Sequence, residues 1–489
     1  MRAVVVLAAG LALPGVLPAL ATAGWSAMVV YLAPVIGTVM AAVAAEIELG
    51  LGGSLVPDYL AVAATVNIAV IAWWVTARRG ARPRNAPAPR TRGAWAWSVL
   101  AVAVVAGCLA VPLSALRGAL LTGDVSFWTT HALMIYGGHH ELLTSLQNPA
   151  YVVSNPDYPP LVPAASALAF KFYGLGNLHL GVDMTVLVTA CALGVVAMGI
   201  VAVSDVAAAG SEARWPARVA AVAAAGVIGV VGFAVSGVYA VGGYTDLVWA
   251  AFAVGAVIWG LVLPRSPRAL AVAWICAAAA SLTKNEGLTT ALIIIAAIAL
   301  RYRPFSLPGP MARRWAERAV LVLLPALPGL AWAGMMRLIG VHDAFFTTGS
   351  PETRLTRAGA TVLGMARYLH VAPLALAVLL AGCWFLRADR QRAGLANPVW
   401  LWICCLGSLA VIFVTYVFGD LEIHGWLLHS VNRTTIFAQV VLYTEIAVWM
   451  VIAAEGAFSR APARADREPA PASEHLPEVL DGPRQPLPQ

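Results

Sequence analysis

The sequence predicts an all-α polytopic membrane protein, and three observations carry that prediction. Sixty per cent of its 489 residues are hydrophobic, only 11% are charged, and the mean hydropathy is +0.80; a soluble domain of this length does not have such a composition. Apolar runs of about 20 residues, enough to cross about 30 Å of hydrocarbon, recur along the whole chain. Between them, arginines gather in short connections, the pattern of loops held on the cytoplasmic side. The net charge of +7 therefore points to membrane topology and not to nucleic acid. The six cysteines (Cys108, Cys191, Cys276, Cys383, Cys404, Cys405) all sit in apolar runs without a C-x-x-C pair, as small packed residues and not as disulfides or metal ligands. The alanine-rich, arginine-for-lysine bias suits a GC-rich bacterium, and hence its plasma membrane.

Thirteen spans follow, at about 2–21, 25–45, 56–77, 94–117, 182–203, 217–238, 246–263, 269–282, 287–300, 319–340, 360–386, 398–419 and 434–456. The first run, with A-x-A at Ala21–Ala23, also has the make-up of a signal peptide. Six arginines between Arg78 and Arg92 outweigh the single Arg2, so it reads as a retained span with its N-terminus outside. The run 160–173 begins Pro-Pro and ends at Lys171; it is too short to cross and is expected as a half-helix entering from the outer face. The chain thus divides into 1–93 (extra N-terminal spans and an arginine-rich loop), 94–456 (the main membrane domain, with a large outer loop 118–160) and 457–489, a Pro/Ala/charge-rich tail expected to be disordered in the cytoplasm.

With the arginine loops inside, the carboxylates and histidines collect outside. In the loop 118–160, Val125, Trp128, Ala132, Ile135 and Tyr136 recur at helical spacing, predicting an amphipathic helix on the membrane surface. Asp124 begins it, either as its N-cap or as a carboxylate held for proton abstraction; the two roles are compatible. "NPDYPPLVP" is a turn by composition, with Asp157 and Pro160 placed to shape it. His139-His140-Glu141 has metal-ligand chemistry, but adjacent histidines diverge on a regular element. Asp246, in "GGYTDL", opens the next span. "SLTKNEGLTT" (281–290) wedges Lys284, Asn285 and Glu286 between two apolar runs and reads as a tight outer turn in which Gly287 relaxes the backbone. Lys284 and Arg433 lie at outer span ends. Each can snorkel to the interface, or both can hold a lipid-linked phosphate, with Glu286 pairing one of them.

The order of these motifs, an aspartate heading a large first outer loop, then "NPDYPPLVP", "GGYTDL", "LTKNEG" and "LLHSVNR", resembles the GT-C superfamily of integral-membrane glycosyltransferases. The branch is that of the protein mannosyltransferases and aminoarabinose transferases, and the likeness covers about 94–456. The resemblance implies a GT-C-like bundle that moves a sugar from a polyprenyl-phosphate donor to an acceptor outside the cytoplasm, with inversion. Asp124 takes the place of the catalytic aspartate, and Lys284 and Arg433 the basic positions near the donor phosphate. Tyr158 matches the tyrosine–proline turn, and Asp246 the acidic residue of the second outer loop. Asp157, Glu286 and His429 fall among the supporting or substrate-contacting positions. His131 departs from the family, where a lysine-like residue is expected. No cofactor is required, although the outer histidines leave room for a divalent metal.

Two rival classes remain at this stage. A transporter or flippase of a lipid-linked precursor would place its polar groups near the bilayer midplane. A non-catalytic envelope scaffold would need no convergence of Asp124, Asp246, Lys284 and Arg433 on one cavity.

Overall fold

The computed structural model describes residues 2–24, 26–80, 96–97, 99–101, 103–104, 124–175, 178–209, 215–236, 244–302, 322–341, 352–368, 380 and 382–459. Among them every regular element is helical. Six stretches are long and apolar enough to cross a membrane: Met28–Leu51, Leu55–Thr76, His179–Ala207, Asn285–Tyr302, Val399–Phe418 and Ile423–Ala457. The expected spans at 246–263 and 269–282 are apolar but shorter helices, Asp246–Val262 and Pro267–Ser281, and the expected half-helix is Leu161–Tyr173. Most of the expected span 94–117, residues 369–379 and 381 of the expected span 360–386, the loop 81–92, His342, Asp343 and the tail from residue 460 lie outside the described residues.

The N-terminal pair α1 (Arg2–Ala23) and α2 (Met28–Leu51) pack closely side by side. Glycine makes that approach possible: a Cβ on Gly15 would run into the Ala33 carbonyl, and one on Gly37 into the Leu11 carbonyl. Small residues at a helix crossing are how apolar helices gain van der Waals contact when lipid is as greasy as the partner. After α3 (Leu55–Gly80), whose candidate span is only 17% buried, come α4 (Asp124–Gly137), α5 (His139–Gln147) and α6 (Leu161–Tyr173). Helix α6 has the extent expected of the half-helix, and its first ten residues are all buried.

The centre belongs to α9 (Asp246–Val257), all twelve of whose residues are buried. An all-round apolar helix has no face for solvent, and α9 is walled by α7 (His179–Ala207), α10 (Pro267–Ser281) and α17 (Ile436–Ser459). Helix α8 (Trp215–Ser236) lies against α7 and α17. Helix α11 (Asn285–Tyr302) packs on α10 and on α15 (Val399–Phe418), and α2 packs along α6 and α7. The remaining helices are α12 (Leu327–Leu338), α13 (Arg354–Tyr368), α14 (Arg387–Arg392) and α16 (Ile423–Thr434).

Two arginines of the expected loops, Arg301 and Arg390, are buried and engaged rather than facing water. Arg301 donates to the carbonyls of Gly260 (2.7 Å) and Leu263 (2.8 Å) at the end of the π turn that continues α9. Arg390 pairs with the buried Glu445 of α17. A cation at a helix C-terminus satisfies carbonyls that have no partner within the helix and complements its dipole.

Two expectations change. Helix α4 does not lie on a surface: among its described side chains, Trp128, Thr129, His131, Ala132, Met134 and Ile135 are buried and none from Phe127 to Tyr136 is exposed. The 3.6-residue spacing was right for a helix, but Thr129 and His131 are walled in by α6 and by the turn 149–154, so its polar side is covered as well. Gly287 likewise serves a different purpose. Its φ is not positive; it lies within α11, where a Cβ would collide with the Ala280 carbonyl and approach Trp249 Cβ to 3.1 Å. The residue allows close approach of α10 and α9, not a turn.

Candidate functional site

The residues Lys284-Asn285-Glu286 sit where α10 ends and α11 begins, and their side chains go three ways. Lys284 Nζ donates to Asp246 Oδ1 at 2.8 Å, on the first turn of α9. Asn285 Nδ2 donates to Asp157 Oδ2 at 2.5 Å, in the connection before α6. Glu286 Oε1 stands 3.7 Å from Lys284 Nζ, while its Oε2 is buried with no hydrogen-bond partner among the described residues.

The same neighbourhood is knitted by backbone. The first N–H of α6, at Leu161, donates to the Leu282 carbonyl (2.9 Å), and Trp332 Nε1 of α12 donates to the Asp157 carbonyl (2.8 Å). Asn155 takes a left-handed conformation at φ 44°, which asparagine tolerates better than most residues. Thus "NPDYPP" and "LTKNEG", far apart in sequence, form one wall.

Asp246 is 2% exposed and binds two cations at once: Lys284 on Oδ1 and, 187 residues along the chain, Arg433 Nε of α16 on Oδ2 at 2.9 Å. The Arg433 guanidinium also lies 4.2 Å from the centroid of the Tyr244 ring, a cation–π contact that holds the planar group in one orientation. Lys284 Nζ is 5.1 Å from the Tyr158 ring centroid. Tyr158 in turn stacks on Trp128 at 5.9 Å and 20°. Burial alone would lower the Lys284 pKa, but the carboxylates of Asp246 and Glu286 outweigh it and raise the pKa, so the lysine is held as a cation. Burial, reinforced by the charges of Glu286, Asp157 and Asp246, holds the Tyr158 phenol well above its ordinary value.

Beside this cluster is a cavity of about 480 Å³. Lys284, Asn285, Glu286 and Thr289 of the α10–α11 junction line one side, and Tyr416, His429, Ser430 and Arg433 another. Phe127, Asn155 and Tyr158 close a third, with Val411 and Ile412 of α15 as an apolar flank. The Tyr416 hydroxyl is fixed by Ser430 Oγ at 2.6 Å and Thr434 Oγ1 at 3.2 Å. The site presents two cations, the carboxylate of Glu286, several hydroxyls and an aromatic wall. That is the equipment for an anion joined to a polyol.

Of the residues named from sequence, Lys284, Arg433, Glu286, Tyr158 and His429 line the cavity. Asp246 and Asp157 stand behind it as anchors. Asp124 is the first residue of α4, one helical turn before the cavity-lining Phe127; its side chain lies outside the described residues. His131 is not part of the cavity lining. It is buried, packs on the Phe127 ring at 5.0 Å, and has Nε2 3.4 Å from Ser154 Oγ. Burial pushes its pKa down to about 4, so it is a neutral packing residue.

Sequence reading missed Tyr416 and Ser430, which carry no signal inside apolar or amphipathic runs, and Tyr244, which the spacing Y-x-D in "GGYTDL" does contain. It also missed Arg357. That side chain is 1% exposed, donates to the Tyr416 carbonyl through Nε (3.0 Å) and Nη2 (2.7 Å) and to the Leu421 carbonyl (2.7 Å), and pairs with Glu352 at 2.9 Å. It closes the C-terminus of α15 and so fixes the wall that bears Tyr416.

Glu352, Glu422 and His424 form the one group among the described residues whose ligand atoms lie within 4.8 Å of one another. Both Glu422 oxygens already accept from the N–H groups of His424 and Gly425, and Glu352 Oε2 accepts from Arg357 and from the Ile423 N–H. The group is engaged as the cap of α16. His139 Nδ1 lies 2.8 Å from the Glu48 carbonyl, so its imidazole is held away from His140. No protein-family model, no curated protein and no solved structure matches this chain.

Proposed function

We propose that the protein is a membrane glycosyltransferase of GT-C type, taking a sugar from a polyprenyl-phosphate donor and passing it to an acceptor on the outer face of a bacterial plasma membrane. The observation that carries the reading is the convergence of Lys284 and Arg433 on one cavity, both oriented by the buried Asp246. A phosphate monoester bound there meets one ammonium and one guanidinium whose positions are fixed before it arrives. Preorganised charge of this kind stabilises a leaving phosphate without reorganisation at the moment of reaction. The cavity volume suits one sugar phosphate, and the apolar flank at Val411 and Ile412 suits the first isoprene units.

In the reaction, an acceptor hydroxyl attacks the anomeric carbon as the bond from that carbon to the phosphate oxygen breaks. Polyprenyl phosphate leaves with the bonding electrons, and the hydroxyl proton passes to a carboxylate. Asp124, one turn before Phe127 at the cavity wall, is the proposed acceptor of that proton, a contribution of about 10²–10⁴-fold. Neither a metal nor a nucleotide enters this scheme.

The test is binding of undecaprenyl phosphate to the detergent-purified chain. Arg433→Gln and Lys284→Met should each weaken it about tenfold or more, since a hydrogen bond to a charged group contributes about 1.5–3 kcal/mol. Equal binding by wild type and both variants would place the lipid elsewhere and remove the basis for a donor site.

A further inference from the structure

We infer that Glu286 is a specificity-determining residue, accepting a hydrogen bond from the hydroxyl on the carbon next to the anomeric carbon of the transferred sugar. The inference rests on the donor reading above and deepens it. Of the three polar residues at the α10–α11 junction, Lys284 is engaged by Asp246 and Asn285 by Asp157. Glu286 also lines the cavity, with a side chain 22% exposed; Oε1 is 3.7 Å from Lys284 Nζ, and it is the one carboxylate in the lining.

A carboxylate at a cavity wall is a charged acceptor, and a ligand hydroxyl that reaches it makes a stronger hydrogen bond than one to a neutral group. The group that would suit it is an O–H or N–H of the ligand. Position narrows the choice. Glu286 Oε1 is 3.7 Å from the Lys284 ammonium, so a phosphate held by Lys284 has the carboxylate as its immediate neighbour. The anomeric carbon is joined to that phosphate through one oxygen, and the hydroxyl one carbon further on is the first sugar group to come within hydrogen-bond range. Phosphate oxygens themselves are repelled by Glu286. Lys284 and Glu286 therefore divide the ligand, the lysine taking its anion and the glutamate its first hydroxyl. Thr289 on the next turn of α11 also lines the cavity, with its hydroxyl proton donated to its own helix, towards the Asn285 and Glu286 carbonyls (3.3 and 3.0 Å); it remains a neutral acceptor, weaker than the Glu286 carboxylate.

The experiment uses the full chain purified in detergent. Its probes are undecaprenyl phosphate alone, the same lipid bearing mannose, glucose, galactose or arabinose, and the 2-deoxy form of whichever sugar binds best. Wild type should hold the best sugar-bearing lipid more tightly than its 2-deoxy form, by about tenfold to a hundredfold, as for a hydrogen bond to a charged acceptor. In Glu286→Gln that discrimination should fall, while affinity for the bare lipid holds or rises as the repulsion of its phosphate is removed and the melting temperature stays near wild type.

Full discrimination retained by Glu286→Gln overturns the inference. So does a variant that loses bare-lipid affinity and melting temperature together, because Glu286 would then only balance the charge of Lys284. If no sugar-bearing lipid binds better than the bare one, the hydroxyl contact is absent and the phosphate site stands. If wild type binds no undecaprenyl phosphate at all, the donor reading itself has failed.

Discussion

Asp246→Asn is the perturbation with the largest calculable consequence. The Asp246 and Lys284 side chains are 3% and 4% exposed, and that of Arg433 is 20% exposed. Replacing the carboxylate by an amide of nearly the same shape leaves the packing of α9 intact but removes the charge that two cations share. Removing one partner of a buried ion pair costs about 3–5 kcal/mol. The amide retains one acceptor oxygen and Arg433 keeps its ring contact with Tyr244, so the low end applies, about 3 kcal/mol. In a chain longer than 250 residues each kcal/mol moves the midpoint by about 2 °C or less, which predicts a fall of about 5 °C. Cys191, Cys276, Cys404 and Cys405 are free and buried, so a thiol-reactive fluorogenic dye reads unfolding directly. Removing the lysine charge in Asp246→Asn/Lys284→Met should return about half the loss, because the two sites are coupled and their effects do not add. A midpoint for Asp246→Asn within 1 °C of wild type, or strictly additive losses in the double variant, would refute the linked-cation reasoning.

Three further outcomes follow from the same geometry. The His131 pKa is lowered by burial to about 4 against an ordinary 6.5; the unfolded chain therefore takes up a proton first, and stability present above pH 6.5 is lost as pH falls towards 4. The full loss is about 3 kcal/mol at 1.36 kcal/mol per unit, and the midpoint of His131→Gln should fall less steeply over that window than that of wild type. Arg357→Met should destabilise by about 2–4 kcal/mol, since it strips the α15 terminus of its carbonyl partners and leaves Glu352 without its ion pair; a midpoint matching wild type would count against that role. Gly287→Ala should cost about 1–3 kcal/mol by overpacking against Ala280 and Trp249, whereas Gly359→Ala, with open space around its Cβ, should be neutral or stabilising.

How much of this was legible in the sequence depends on what each residue does. Helices such as Val399–Phe418 and His179–Ala207 were readable because a long apolar run has one regular solution in lipid. Their number was harder, since apolarity reports burial and does not say whether lipid or protein does the burying; α9 and α10 are short because other helices cover them. The polar residues of "LTKNEG" were conspicuous for their cost in an apolar setting, and that cost is what brought Lys284, Asp246 and Arg433 together. Tyr416 and Arg357 were silent. One is an ordinary member of an apolar span until Ser430 and Thr434 meet its hydroxyl, and the other is one arginine among many until α15 ends on it. Helix α4 shows the converse error: its spacing fixed the helix, but spacing on one face says nothing of what covers the other.

The most direct measurement is sugar transfer in membranes expressing the chain, with radiolabelled mannose, glucose, galactose and arabinose carried on undecaprenyl phosphate, comparing wild type with Asp124→Asn and Arg433→Gln at equal protein levels. Label should pass to an acid-stable product in wild type and fall by about 10²-fold or more in Asp124→Asn, with Arg433→Gln impaired through weaker donor binding. Transfer by Asp124→Asn and Arg433→Gln at the wild-type rate would contradict a catalytic site in this cavity.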